Sequence, residues 1–126
     1  MFLILYWLYG NPSAFTFSAY IIFWVLYHEF GVKELFQRSR PDTAGQQKGF
    51  SFPSSHSFAS GLILTSCIFF SLPYEPIIMA FAVLNAINRP AIGVHYIADV
   101  VAGLSLGVIA GLGWPFILEI ARVALP

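Results

Sequence analysis

The stretch HYIADVVAGLSLGVIAG, His95 to Gly111, carries two messages at one spacing. Asp99, Gly103, Gly107 and Gly111 follow His95 in steps of four. On a helix that spacing keeps residues on one face. Glycines so spaced let a second apolar helix approach closely. The packing ridge therefore runs back toward His95 and Asp99, and both are expected to point into a helix bundle rather than into lipid. The surrounding apolar run, about Val100 to Ala124, is long enough to cross a bilayer with some tilt. A span needs roughly 20 residues for about 30 Å of hydrocarbon.

The rest of the chain has the same character. Of 126 residues, 58% are hydrophobic and 10% charged, with a mean hydropathy of +0.76. A soluble domain carries about 25% charged residues, so most of this surface does not face water. Aromatic residues make up 17%, as membrane interfaces favour. The formal net charge of zero argues against a nucleic-acid partner, which calls for a basic face. The single cysteine, Cys67, sits in an apolar run and reads as a buried, inert thiol. No Lys or Arg precedes Lys33, so the start lacks the basic region of a signal peptide.

Three more apolar stretches run from about Ala14 to Val32, Phe58 to Leu72 and Pro76 to Ile87. The last two are too short to span alone and must extend into their polar flanks, to Ser55 and Arg89. Leu72-Pro73-Tyr74-Glu75-Pro76 forces the reversal between them. Met1 to Gly10 is a shorter apolar stub. The expected fold is all-α: a polytopic transmembrane bundle of four main spans plus the stub, within one domain over 1–126.

Polar residues fall in three clusters: Lys33 to Asp42, Pro53 to His56, and Arg89 to Asp99. With the spans running up and down in turn, all three land on one side of the membrane. Ionisable groups converging there make a site hypothesis. Lys33 and Arg40 are two helical turns apart and are expected to share a face, with Pro41 ending the helix. Ser54 or Ser55 after Pro53 signals a helix N-cap, with His56 in the first turn, where free amides and the helix dipole favour an anion. Arg89-Pro90 is expected to break the third helix. His95 and Asp99, four apart on the next helix, are base and orienter. Each cluster alone has a plainer reading: a snorkelling basic cap, a simple N-cap, a structural His–Asp bond. His28-Glu29 opens like a metalloprotease motif, but Val32 stands where the second histidine belongs, and no Cys/His ligand set exists.

Taken together, the clusters resemble the type 2 phosphatidic acid phosphatase (PAP2) family of membrane lipid phosphatases, related to the vanadium haloperoxidases. The family pattern is K-x6-R-P, P-S-G-H and S-R-x5-H-x3-D. Lys33, Arg40 and Pro41 match the first, Pro53, Ser54 and His56 the second, and Arg89, His95 and Asp99 the third. Ser55 replaces the glycine, and Asn88 the serine before Arg89. Members in membranes usually have six spans, so the chain either lacks N-terminal helices or is a compact variant.

The resemblance implies that His95 attacks phosphorus and becomes phosphohistidine. Asp99 holds its ring, and His56 protonates the leaving oxygen and then helps water cleave the intermediate. Lys33, Arg40, Arg89 and the amides of Ser54 and Ser55 hold the phosphate. No metal or other cofactor is implied. Phosphatidic acid, phosphatidylglycerophosphate, undecaprenyl diphosphate and the lipid A 1-phosphate group all fit as substrates. The implied setting is the bacterial inner membrane, with an extracytoplasmic active face. Phosphotransfer to a lipid or sugar acceptor, or a non-catalytic lipid-phosphate binding or transport subunit, would use the same residues.

Overall fold

The computed structural model describes residues 12–45, 48–70 and 74–124. The expected N-terminal stub, and residues 72 and 73 of the proline turn, lie outside them. Every regular element among the described residues is helical. Helix α1 (Pro12–Tyr27) runs into a π-helical turn (His28–Val32) and a short α2 (Lys33–Phe36). A loop with one 3-10 turn (Asp42–Ala44) leads to α3 (Ser55–Phe70). Then come α4 (Glu75–Ala91), α5 (Ile97–Leu112) and α6 (Trp114–Ala124).

The glycine ridge decides the packing. Gly103, Gly107 and Gly111 of α5 are buried against α3. A Cβ at Gly107 would overlap the Phe58 carbonyl oxygen and stand 2.9 Å from its carbon. From the other side, a Cβ at Gly61 would lie 2.5 Å from Leu104 O and 2.7 Å from Val108 N. The two backbones touch, and side chains larger than hydrogen have no room between them. Phe58, Leu62 and Ala110 form the small core beside this seam, with Ile21 and Trp24 of α1 packed on it. Tyr20 donates a hydrogen bond to Ala110 O, joining α1 to α5. Asn85 of α4 donates to Ser60 Oγ at 3.1 Å, joining α4 to α3. Cys67 is fully buried, as its apolar run suggests.

The outer faces are apolar. Ile68, Ile77, Phe81, Leu84, Ile97, Val101, Ile109 and Phe116 are all exposed. Ile97–Ile117 is the one described stretch long and apolar enough to cross a membrane. Helices α3 and α4 do reach into their polar flanks, starting at Ser55 and passing Arg89.

Four local expectations are corrected. First, the helix carrying Lys33 ends at Phe36, because Gln37 adopts a left-handed conformation (φ 46°) and donates its N–H to Lys33 O. Lys33 and Arg40 therefore share no helix face; Arg40 sits in a loop. Second, Pro90 does not break α4, which continues to Ala91. In the last turn proline forfeits a single backbone bond, and Ile92 N–H still reaches Asn88 O at 3.1 Å. Third, the last apolar run is long enough to cross, over Ile97–Ile117, but it carries a turn at Gly113 between α5 and α6. Pro115 has no N–H for the carbonyl of Gly111. Fourth, His95 precedes α5 and is not part of it. Tyr96 is the N-cap, and Asp99 closes a capping box by accepting the Tyr96 N–H at 2.9 Å.

Candidate active site

The three polar clusters meet. A cavity of about 390 Å³ is lined by Lys33, Arg40, Ser55, His56, Arg89 and His95, together with Glu29 and an apolar wall of Val25, Leu26 and Phe30. The residues come from the end of α1, the π turn and α2, the loop after it, the start of α3, the end of α4 and the segment before α5. The close α3–α5 seam holds the start of α3 against the start of α5: the Ser54 N–H donates to Asp99 O at 3.0 Å.

His95 is at the centre. Its Nε2 lies 3.2 Å from Arg40 Nη1, and its Nδ1 lies 3.5 Å from Asp99 Oδ2. Guanidinium nitrogens only donate, so Nε2 must accept. That leaves the ring proton on Nδ1, on the side of the carboxylate, and the Nε2 lone pair directed at Arg40, which also lines the cavity. This is the tautomer a nucleophilic imidazole needs. Burial pushes the His95 pKa below its ordinary value, Arg40 pushes the same way, and Asp99 opposes them. Burial and Arg40 both favour the neutral ring.

Asp99 is fully buried and itself tightly held. Oδ1 accepts from Arg38 Nη1 at 2.8 Å, and Oδ2 accepts from Tyr96 N. The Arg38 guanidinium also lies over the Tyr96 ring, 4.2 Å from its centre. Arg38 is a residue that motif reasoning missed. Its only sequence signal is a second arginine two positions before Arg40, with nothing to say that it turns back toward Asp99.

The cations differ in their engagement. Arg40 is anchored by Gly49 O and Val94 O, both at 3.2 Å. Arg89 Nε is buried with no hydrogen-bond partner, a donor aimed at nothing the protein supplies. Lys33, although buried, pairs with Glu29 at 3.1 Å, and the Ser55 hydroxyl donates to the same carboxylate. Glu29 was also missed. Its legible signal was the i, i+4 spacing to Lys33. Ser54 is the N-cap of α3: its Oγ accepts from Ser57 N at 3.4 Å and from Ser57 Oγ at 3.1 Å. It is fully buried and its amide is spent on Asp99, so it supports the turn and does not line the cavity. Ser55 and His56 do line it. Among the described residues no three His, Cys, Asp or Glu side chains cluster as a metal site would require.

Comparison with known proteins gives the family. The family model of the PAP2 superfamily matches residues 13–120. The chain belongs to the PAP2 superfamily. Phosphatidylglycerophosphatase B of Bacillus subtilis (strain 168) is 33% identical over 91 residues, covering 62% of this PAP2 chain. The chain spans 45% of that relative's length. The crystal structure of a transmembrane PAP2-type phosphatidylglycerolphosphate phosphatase from Bacillus subtilis superposes with a TM-score of 0.73 at 25% identity. The match covers 93% of this chain and 67% of that one. The all-helical bundle, its outward apolar surface and this kinship make the chain an integral membrane protein.

Proposed function

We propose that this chain is a lipid phosphate phosphatase working through a phosphohistidine intermediate, with phosphatidylglycerophosphate the leading substrate. The observation that carries the reading is the convergence in one cavity of a histidine whose Nε2 faces the Arg40 guanidinium, a second histidine and three cations. The apolar wall of Val25, Leu26 and Phe30 suits the lipid part of a substrate. The two Bacillus relatives, by name, act on phosphatidylglycerophosphate.

The steps follow from the residues. His95 Nε2 attacks phosphorus as the bond to the leaving oxygen breaks. His56 delivers a proton to that oxygen. Arg40, Arg89, Lys33 and the Ser55 amide stabilise charge on the other phosphoryl oxygens. The proton on Nδ1 stays between His95 and Asp99, whose carboxylate offsets the positive charge formed on the ring. His56, now neutral, takes a proton from water as water attacks phosphorus, and the N–P bond breaks to release phosphate. The setting we propose is a bacterial plasma membrane with the cavity on the extracytoplasmic side.

The test is phosphate release from a lipid panel of phosphatidylglycerophosphate, phosphatidic acid, undecaprenyl diphosphate and lipid A, with acid-labile labelling of the protein by ³²P substrate. Labelling is expected in the wild type and absent in His95→Ala. Label that survives in His95→Ala removes His95 as the nucleophile. Label appearing on an added alcohol rather than in free phosphate would make the enzyme a phosphotransferase.

A further inference from the structure

Glu29 is the one carboxylate among the residues lining the cavity, and the mechanism gives it no task. Its oxygens are held by Lys33 Nζ and by the Ser55 hydroxyl, two groups of the anion cradle. The π turn sets this up. Glu29 and Lys33 lie four apart on one side of it, facing the start of α3, while His28 turns inward and stacks on Phe58 with ring centres 4.4 Å apart. Glu29 also neighbours Val25, Leu26 and Phe30, the wall along which a lipid chain has to leave the cavity.

The fixed charges then have a simple balance. Lys33, Arg40 and Arg89 contribute three positive charges, and Glu29 removes one. The Asp99 charge is matched separately by Arg38. The protonated His56 of the mechanism adds one more positive charge, so the sum of charges alone does not separate the two headgroups; the position of Glu29 does. A diphosphate carries a further negative charge on its inner phosphate. That phosphate would follow the lipid chain toward the apolar wall and meet the Glu29 carboxylate. A monoester presents a neutral linker there, and a glycerol hydroxyl can donate to the same carboxylate.

We propose that Glu29 is a specificity-determining residue that makes the cavity favour a phosphomonoester over a diphosphate. The proposal rests on the phosphatase reading and narrows its substrate class: phosphatidylglycerophosphate, phosphatidic acid and lipid A 1-phosphate stay, and undecaprenyl diphosphate becomes a poor substrate.

The test compares dioleoyl phosphatidic acid with dioleoylglycerol diphosphate, which share one lipid, in detergent micelles of fixed composition. In the wild type the monoester is expected to have the higher kcat/KM. In Glu29→Gln the ratio should move toward the diphosphate by about tenfold, the size of one unit charge in a half-exposed site. Glu29→Asp keeps the charge and should keep the wild-type preference. A purely structural role for Glu29 would lower both substrates together and leave the ratio alone, and that result overturns the proposal. So does a wild type that hydrolyses the diphosphate as well as the monoester, a finding that needs no variant to fold. If the wild type releases phosphate from neither lipid nor from phosphatidylglycerophosphate, the phosphatase reading itself falls and the proposal with it.

Discussion

Replacing Asp99 by asparagine tests the site most directly, because the carboxylate has three neighbours that all present hydrogen. Arg38 Nη1 is 2.8 Å from Oδ1, Tyr96 N is 2.9 Å from Oδ2, and His95 Nδ1 is 3.5 Å from Oδ2. An amide has one oxygen and one NH₂ group, so it cannot accept on both sides. If its oxygen faces Arg38, the NH₂ opposes the Tyr96 N–H and confronts His95 Nδ1. The ring then moves its proton to Nε2 and loses the attacking lone pair. If the oxygen faces Tyr96, the NH₂ meets the Arg38 guanidinium and the cation loses its partner. Either way the negative charge that offsets the forming imidazolium is gone. The expected loss in kcat is about a hundredfold to ten-thousandfold, or about 3 to 5.5 kcal/mol of barrier. Arg38 is 40% exposed, so water takes part of its charge and the stability cost is smaller, about 1 to 3 kcal/mol. The assay is initial-rate phosphate release, with thermal unfolding in the same detergent to show that the variant folds. A folded Asp99→Asn protein with kcat within threefold of wild type would refute the orienting role of Asp99.

Other outcomes follow from the same geometry. Gly107→Ala places a methyl group against the Phe58 carbonyl, so it should cost about 1 to 3 kcal/mol by forcing α3 and α5 apart, whereas Ser105→Ala on the exposed face should change unfolding little. Burial, and then the charge of Arg40, hold the His95 pKa below the ordinary value of about 6.5. Its titration midpoint by histidine NMR, assigned with a His56→Asn variant, should therefore fall below about 6.5; a midpoint at or above about 6.5 contradicts the burial argument. The sign for stability is fixed by the same shift. The unfolded chain takes up this proton first, so the contribution is full above about pH 6.5 and declines as pH falls toward the folded pKa. Turnover should survive EDTA and be inhibited by vanadate, which mimics a five-coordinate phosphoryl group; loss in EDTA restored by Mg²⁺ would contradict a cradle made of Lys33, Arg40 and Arg89.

Much of this architecture was legible in the chain itself. The step of four from His95 to Gly111 already specified which face of α5 packs and that the His95–Asp99 pair lies at its start, because close helix contact admits only hydrogen at the glycine positions. The three spaced motifs named Lys33, Arg40, His56, Arg89, His95 and Asp99, and all six stand at one site. Local periodicity could not see where the backbone leaves its period. The left-handed turn at Gln37 takes Arg40 off the helix of Lys33 and swings it to His95, and the π turn places Glu29 beside Lys33. The partners chosen across long separations were equally invisible. Arg38 meets Asp99 from 61 residues away, Ser55 meets Glu29 from 26, and the Ser54 amide is spent on Asp99 O rather than on an anion. Spacing within a motif reports chemistry that a local stretch of chain must carry. Which charge neutralises which is decided only when the α3–α5 contact brings the loops together, since ion pairing depends on distance in space and not along the sequence.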